Sequence, residues 1–290
     1  MHGGTSLQDG ILSIQSAVAY GHVGNSAAAF PLQRLGFEVW PVNTVLFSNH
    51  TGYDTWRGHV LAVDQIREIL RGVEERGAFD HCAAVLSGYL GDAELGQAVL
   101  ETVARIKSRR PEALFVCDPV MGDRDGGFFV REGIPAFFKQ RAVPAADIVV
   151  PNQFELAYLA GRELDTLDDV LVAARTVRET GPRMVVVTSL VLPERPGEIG
   201  VVAETAAESW MVWTPRVDIH LNGTGDAFTA LILAHYLRNP DPRRAIEAAA
   251  SSMFALVRAT RQAGRRELLL IEGQSQLVEP DQRFIAERVR

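Results

Sequence analysis

The chain has 290 residues, 47% hydrophobic and 22% charged, which supports a sizeable buried core and excludes a disordered polypeptide. A net charge of −7 and a pI near 5.6 exclude the basic face of a nucleic-acid binder. No apolar run reaches the length of a membrane span, and the start lacks a signal-peptide core, so a cytoplasmic protein without membrane or nucleic-acid partners is expected. Cys82 and Cys117 lie within or beside apolar runs and are expected as reduced, buried thiols rather than a disulfide.

Residues 1–10 are polar and glycine-containing and are expected to form a flexible tail, with 11–290 as a single domain. An apolar strand over 11–16 leads into the loop 20–26, punctuated by Gly21 and Gly24. Asn25 or Ser26 stands where it would cap a helix reaching about Leu35. A strand over 38–46, a polar–aromatic loop over 47–53 and a helix over 62–76 follow. The strand 83–86 runs into Ser87-Gly88-Tyr89, and a helix covers 93–109. The strand 113–116 closes on Cys117-Asp118-Pro119, and the charged, glycine-containing stretch 123–127 suits a mobile flap.

The strand 147–150 ends in Pro151-Asn152, with Glu155 in the first turn of the next helix. A helix over 167–180 precedes a strand over 184–187, which ends at Thr188-Ser189. The runs 199–203 and 209–213 pattern as an antiparallel pair, 227–237 as an apolar helix, and Pro242 behind Asp241 starts a long helix through Val257. Strand and helix alternate at least five times. That alternation predicts an α/β fold: a central, mostly parallel sheet flanked by helices on both faces, with a small antiparallel pair.

The stretch Asn222-Gly223-Thr224-Gly225-Asp226-Ala227-Phe228 opens the 227–237 helix. Its glycines permit a tight turn that points several N–H groups into one space, where the helix dipole adds positive potential. Such a place suits an anion, most naturally a phosphoryl group. Asp226 would repel that anion, unless it serves as the base that strips a proton from an attacking hydroxyl. A plain glycine turn with an aspartate in the first helical turn is common, and these seven residues alone are better accounted for that way.

Position supplies the further signal. Ser16, Ser87, Asp118, Asn152 and Thr188 all fall where an apolar strand gives out. In open α/β sheets, ligands bind outside the carboxyl ends of the strands, so these side chains would gather at one edge. Each taken singly is a helix cap or a turn residue. The seven histidines show no metal-ligand spacing, so no zinc site is expected. A P-loop, a Gly-x-Gly-x-x-Gly fingerprint and a Gly-x-Ser-x-Gly elbow are all missing, which leaves the late Gly-Thr-Gly-Asp turn.

Several segments resemble the pyridoxal kinases, in the bacterial branch of the ribokinase-like superfamily. They are Ser13-Ile14-Gln15-Ser16, Tyr20-Gly21-His22-Val23-Gly24-Asn25, Phe47-Ser48-Asn49-His50-Thr51 and Ser87-Gly88-Tyr89-Leu90-Gly91. Cys117-Asp118-Pro119-Val120-Met121-Gly122, Pro151-Asn152-Gln153-Phe154-Glu155 and Gly223-Thr224-Gly225-Asp226 complete the set, in order from about residue 11 to the long C-terminal helix. The last motif belongs to the whole superfamily; the first four separate pyridoxal kinases from sugar kinases.

The resemblance implies a ribokinase-like fold and ATP-dependent phosphorylation of the 5′-hydroxymethyl of pyridoxal. By that resemblance Asp226 is the base, and Gly223, Thr224 and Gly225 supply N–H groups to the transferred phosphoryl. Ser16, Thr51 and Gly52 would meet the pyridine ring's polar edge, and Val23 and Tyr89 its faces. Asp118 and Glu155 would act around Mg²⁺ and the ATP phosphates, directly or through water, with K⁺ a further candidate ion. Val150, Asn152, Thr188 and Thr214-Pro215-Arg216-Val217 would border the nucleotide, residues 122–129 would form a lid, and the protein would be a homodimer.

Two departures from the family pattern stand out. Gly52 occupies a place where bacterial relatives often carry Gln, and Thr188 one where some carry Lys. Two alternatives to the pyridoxal kinase therefore stay open: a kinase for another vitamer or for hydroxymethylpyrimidine, and a low-turnover vitamin B6-binding protein. Related hydroxymethylpyrimidine kinases carry Cys in place of the base, so Asp226 weighs against that substrate.

Overall fold

The computed structural model describes residues 9–290, and its centre is a run of short strands whose alternate side chains enter two different cores. Residues 1–8 of the expected tail lie outside the described residues, while Gly10 already pairs with Glu38 and Cys82 and opens the first strand. In chain order come β1 (Gly10–Val18), α1 (Asn25–Arg34), β2 (Glu38–Phe47), β3 (Gly58–Val60), α2 (Val63–Glu75), β4 (Cys82–Ser87) and α3 (Ala93–Arg109). Next are β5 (Leu114–Cys117), the hairpin of β6 (Gly122–Asp123) and β7 (Gly127–Phe128), α4 (Ile134–Phe137), α5 (Val143–Ala145) and β8 (Ile148–Val149). The chain continues through α6 (Gln153–Ala160), α7 (Leu167–Arg178), β9 (Met184–Leu190), β10 (Glu198–Thr205) and β11 (Ser209–Pro215). It ends with α8 (Thr224–Arg238), α9 (Pro242–Gln262), α10 (Gln274–Val278) and β12 (Glu287–Arg288).

The main sheet has ten strands in the order β12-β11-β10-β9-β8-β5-β4-β1-β2-β3. The central strands β2, β1, β4, β5, β8 and β9 pair in parallel, while β3, β10, β11 and β12 join antiparallel at the two ends. Strands covered on both faces read as continuous apolar runs, as 83–86 and 184–187 do. Leu12, Val85, Phe115 and Val185 point toward α2, α3, α6 and α7; Ile11, Ala84, Val116 and Val186 point toward α1, α8 and α9. The predicted pair 199–203 and 209–213 is therefore part of the main sheet, and the separate two-stranded sheet is β6-β7.

A cap that was not among the sequence cues starts α7, and the cues for helix starts hold at α6 and α9. Asn152 and Glu155 form a reciprocal capping box, Thr166 and Asp169 another, and Asp241 accepts from the Arg244 N–H. At α1 they do not. The cap position is Gly24, and neither Asn25 nor Ser26 caps the helix. Asn25 is buried and used sideways: Nδ2 donates to the Val42 carbonyl at 3.1 Å and to Asn43 Oδ1 at 2.8 Å, and Oδ1 accepts from Ser13 at 2.7 Å. Ser26 bridges back to the Val18 backbone. Cross-ties between β1 and β2 outweigh a cap here because buried polar backbone would otherwise lack partners.

Replacing Asn25 by Ala leaves the Ser13 hydroxyl and the Val42 carbonyl without this partner inside the protein. Urea denaturation is expected to show a loss of about 2 kcal/mol or more with an unchanged m value.

Candidate active site

The order of the parallel strands reverses around β1. The connection through α1 leads to β2 on one side, and the later connection through α2 places β4 on the other. A crevice forms outside the carboxyl ends of the strands at such a switch point. Ser16, Ser87, Asp118, Asn152 and Thr188 all belong to this edge. β1 runs on to Val18, two residues past the predicted end, because Val18 still pairs with Phe47. β9 likewise runs past Thr188 to Leu190, paired with β10, while Thr188 forms the last parallel bridge, to Asn152.

The turn 223–226 sits at the N-terminus of α8, where no side chain caps the helix, so its first N–H groups face outward. Gly223 has φ 78°, and a side chain there would collide with the His22 carbonyl, so the turn lies directly against the loop 20–24. Gly24, at φ 54°, packs equally closely on the Ser16 backbone. Gly225 is exposed, and a Cβ built on it would meet nothing within 4 Å. Asp226 follows in the first helical turn. Burial pushes its carboxyl up from the usual range, and the Gly24 N–H aimed at it offsets part of that shift.

Two further carboxylates face the same space. Asp118 is 6% exposed, and its Oδ2 accepts from Thr229 Oγ1 at 2.8 Å, which ties the end of β5 to α8. Burial, and then the charges of Glu155 and Asp226, push the Asp118 carboxyl well up. Glu155 is 3% exposed; Oε1 accepts from the Met121 N–H and Oε2 from the Asn152 N–H, both at 2.9 Å. Burial raises Glu155 as well, against those backbone donors. A buried carboxyl pushed up by two others wants a cation beside it. Among the described residues no three His, Cys, Asp or Glu side chains converge in metal-ligand geometry. The donor set thus suits a hard ion that takes one or two protein oxygens and fills its shell with water and phosphate.

Beside the turn lies a cavity of about 550 Å³. Thr224 and Gly225 form one wall, Asn152 and Thr188 another, and the segment Thr214, Pro215, Arg216 and Val217 a third. Of the expected nucleotide residues, Val150 does not line it: the residue is 3% exposed and packs in the core beneath. Asn152 combines two duties, since Oδ1 accepts from the Glu155 N–H and Nδ2 donates to the Gly122 carbonyl at the root of the β6-β7 hairpin. That hairpin lies over the rim, with Phe128 edge-on to Phe154 and Tyr158.

On the other side of the turn are Ser16 and Val23, in direct backbone proximity to Gly24 and Gly223, and Gly52, where a side chain would strike the His50 ring, with the Asn222 amide beyond it. Tyr89 is half-buried, and burial raises its hydroxyl; Thr51 is exposed on the loop, outside any side-chain hydrogen bond among the described contacts. The cavity's apolar wall, built from Phe228, Met253, Phe254 and Val257, was not foreseen from the sequence. Those residues pattern like any helix core. Ser189, the one described non-glycine residue with positive φ (55°), also lines the cavity and carried no distinguishing signal.

The comparisons agree with this geometry. A family model described as phosphomethylpyrimidine kinase matches residues 45–269. The pyridoxal kinase PdxY of Rubrobacter xylanophilus is 54% identical over 281 residues, covering 96% of this chain and 97% of its own. The PdxY of Leifsonia xyli subsp. xyli is 48% identical, covering 96% of this chain and 99% of its own. Among solved structures, a pyridoxal kinase from Leishmania donovani in complex with ADP and pyridoxine superposes with a TM-score of 0.91 at 31% identity, covering 97% of this chain and 99% of that one. The fold is that of these kinases, and near-full-length identity to them is far above what fold likeness alone would give: the chain belongs to the pyridoxal kinase family.

Proposed function

We propose that the protein transfers the γ-phosphoryl of ATP to the 5′-hydroxymethyl of pyridoxal, giving pyridoxal 5′-phosphate, within a single kinase domain over residues 11–290. The observation that carries this reading is Asp226. It sits in the first turn of α8, beside the outward N–H groups of the 223–225 turn and within the field of Asp118 and Glu155. A base there accepts the acceptor's proton as the hydroxyl attacks. The N–H groups of Gly223, Thr224 and Gly225 receive the charge that builds on the transferring group. The cavity lined by Thr188, Thr214 and Arg216 takes the nucleotide, and its apolar wall suits a planar base.

Asp118 and Glu155 would hold Mg²⁺ in this reading, Asp118 with its free oxygen and Glu155 through water, since both Glu155 oxygens already accept N–H groups. When bound, the ion neutralises phosphate charge. K⁺, a homodimer and a cytoplasmic setting belong to the same reading; no described helix is long and apolar enough to cross a membrane. Gly52 and the family model's description favour one second reading, in which the preferred acceptor is another vitamer or hydroxymethylpyrimidine. Comparing kcat/KM for pyridoxal, pyridoxine, pyridoxamine and hydroxymethylpyrimidine separates the two, with pyridoxal expected to be best.

Asp226→Asn is expected to lower kcat by ~10²–10⁴-fold with the fold intact; turnover within a few-fold of wild type would remove Asp226 as the base. Gly225→Ala tests the space for the phosphoryl. Its added methyl meets no protein atom and a helical alanine is favoured, so the Tm should hold or rise while kcat falls about 100-fold.

Asp118→Asn tests the carboxylate cluster through pH. A carboxyl raised in the folded state binds more protons than the unfolded chain does, so it lowers stability as pH climbs through the raised value. In the absence of ligand, thermal unfolding should show Asp118→Asn more stable than wild type near pH ~8 and equal to it near pH ~4. The same variant should lose most of its turnover.

A further inference from the structure

Glu267 lies beyond α9, far along the chain from the turn, yet its carboxylate reaches two loops of the site. Oε2 accepts from the His22 backbone N–H at 3.1 Å, and Oε1 accepts from the Tyr53 hydroxyl. Gly21, at φ 93°, rests against the same carboxylate, where any side chain would strike it. Arg266 covers the Tyr53 ring with its guanidinium 4.7 Å from the centroid, and Tyr20 meets that ring edge-on at 6.4 Å. The bond to Glu267, more than burial, pushes the Tyr53 hydroxyl up to about 12, so it remains a donor across the working pH range.

The first loop touches the phosphoryl-transfer turn, and the second lies beside the residue that precedes it. The first carries the His22 carbonyl against Gly223, the Gly24 N–H aimed at Asp226, and Gly24 packed on Ser16. The second carries Thr51 and Gly52, with Gly52 facing Asn222, the residue before Gly223. Neither loop contributes to the 550 Å³ cavity.

We propose that Glu267 is a positioning residue for the acceptor: one carboxylate that holds loops 20–24 and 50–53 at a fixed separation, so that the acceptor alcohol is presented to Asp226. The proposal rests on the kinase reading of the site. It acts on the acceptor half only, because the tie passes through no residue that lines the nucleotide cavity. Glu267 itself touches neither substrate nor reacting atoms.

The test uses the full-length protein with Tyr53→Phe, Glu267→Gln and Glu267→Ala, read by steady-state kinetics and by amide hydrogen exchange without ligand. Tyr53→Phe removes one bond, and should raise the pyridoxal KM about tenfold while the ATP KM stays within about twofold. Glu267→Gln keeps an acceptor for Tyr53 but sets an amide N–H₂ against the His22 N–H, so it should fall between wild type and Glu267→Ala. Exchange should quicken only in loop 50–53 for Tyr53→Phe, and in both loops for Glu267→Ala. Pyridoxal and ATP KM rising together, neither moving, or unchanged exchange in both loops would each overturn the proposal. If Glu267→Ala does not fold, Tyr53→Phe and Glu267→Gln still decide it. If wild type does not phosphorylate pyridoxal, the kinase reading fails while exchange alone decides the tie.

Discussion

The site depends on a close approach of two backbones. The turn 223–226 meets the loop 20–24 at Gly223 (φ 78°), against the His22 carbonyl, and that loop meets the end of β1 at Gly24 (φ 54°), against the Ser16 backbone. Any larger residue at either position would need both a strained backbone and a displaced neighbour. The contact brings the end of β1, with Ser16, within reach of the N-terminus of α8. It also lets a backbone N–H from Gly24 face the carboxyl of Asp226. The acceptor half and the phosphoryl half of the site thus meet at a rigid backbone seam.

Around that seam the electrostatics are unbalanced in the free protein. Asp118, Glu155 and Asp226 are all raised by burial, and the first is raised further by the other two. Such an arrangement lowers the stability of the fold at neutral pH, as functional carboxylate clusters commonly do. It is tolerated because each member is also tied structurally: Asp118 to Thr229, Glu155 to the Met121 and Asn152 N–H groups, and Asp226 to the Gly24 N–H. The same Asn152–Glu155 box caps α6 and holds the root of the β6-β7 hairpin. Capping and the proposed ligand binding are therefore not competing explanations at this position, since one pair of side chains is placed for both.

Much of this was legible in the sequence, and the limits have physical causes. The parallel core strands and the helices over 93–109 and 167–178 could be read from period and length, because burial on one or both faces leaves a strong hydrophobic pattern. The three-residue β3 and two-residue β12 left no such pattern. Asn25 misled as a cap because a side chain that bonds sideways into a neighbouring strand has no signature in its own segment. Asp118 was legible as a polar residue where an apolar strand gives out, and Asp226 as the carboxylate of a glycine turn just ahead of an apolar helix. Glu267 was not, since its role arises from contact between segments more than two hundred residues apart in sequence.

The division of labour across the seam explains why a family model described by one substrate can span relatives that carry the name of another. In the proposed reading, phosphoryl transfer would rest on the N–H groups of a capless helix start, on Gly223, which has no room for a side chain, and on carboxylates held by Thr229 and by backbone donors. The acceptor would be met instead by the loops 20–24 and 50–53, which one carboxylate ties together. Loops tolerate change where sheet edges and helix starts do not, so a change of acceptor is expected in the loops as well as at the base. Position 52 is such a place: the glycine sits against the His50 ring, and a larger residue there would have to displace that ring, altering the acceptor's surroundings while leaving the turn 223–226 as it is.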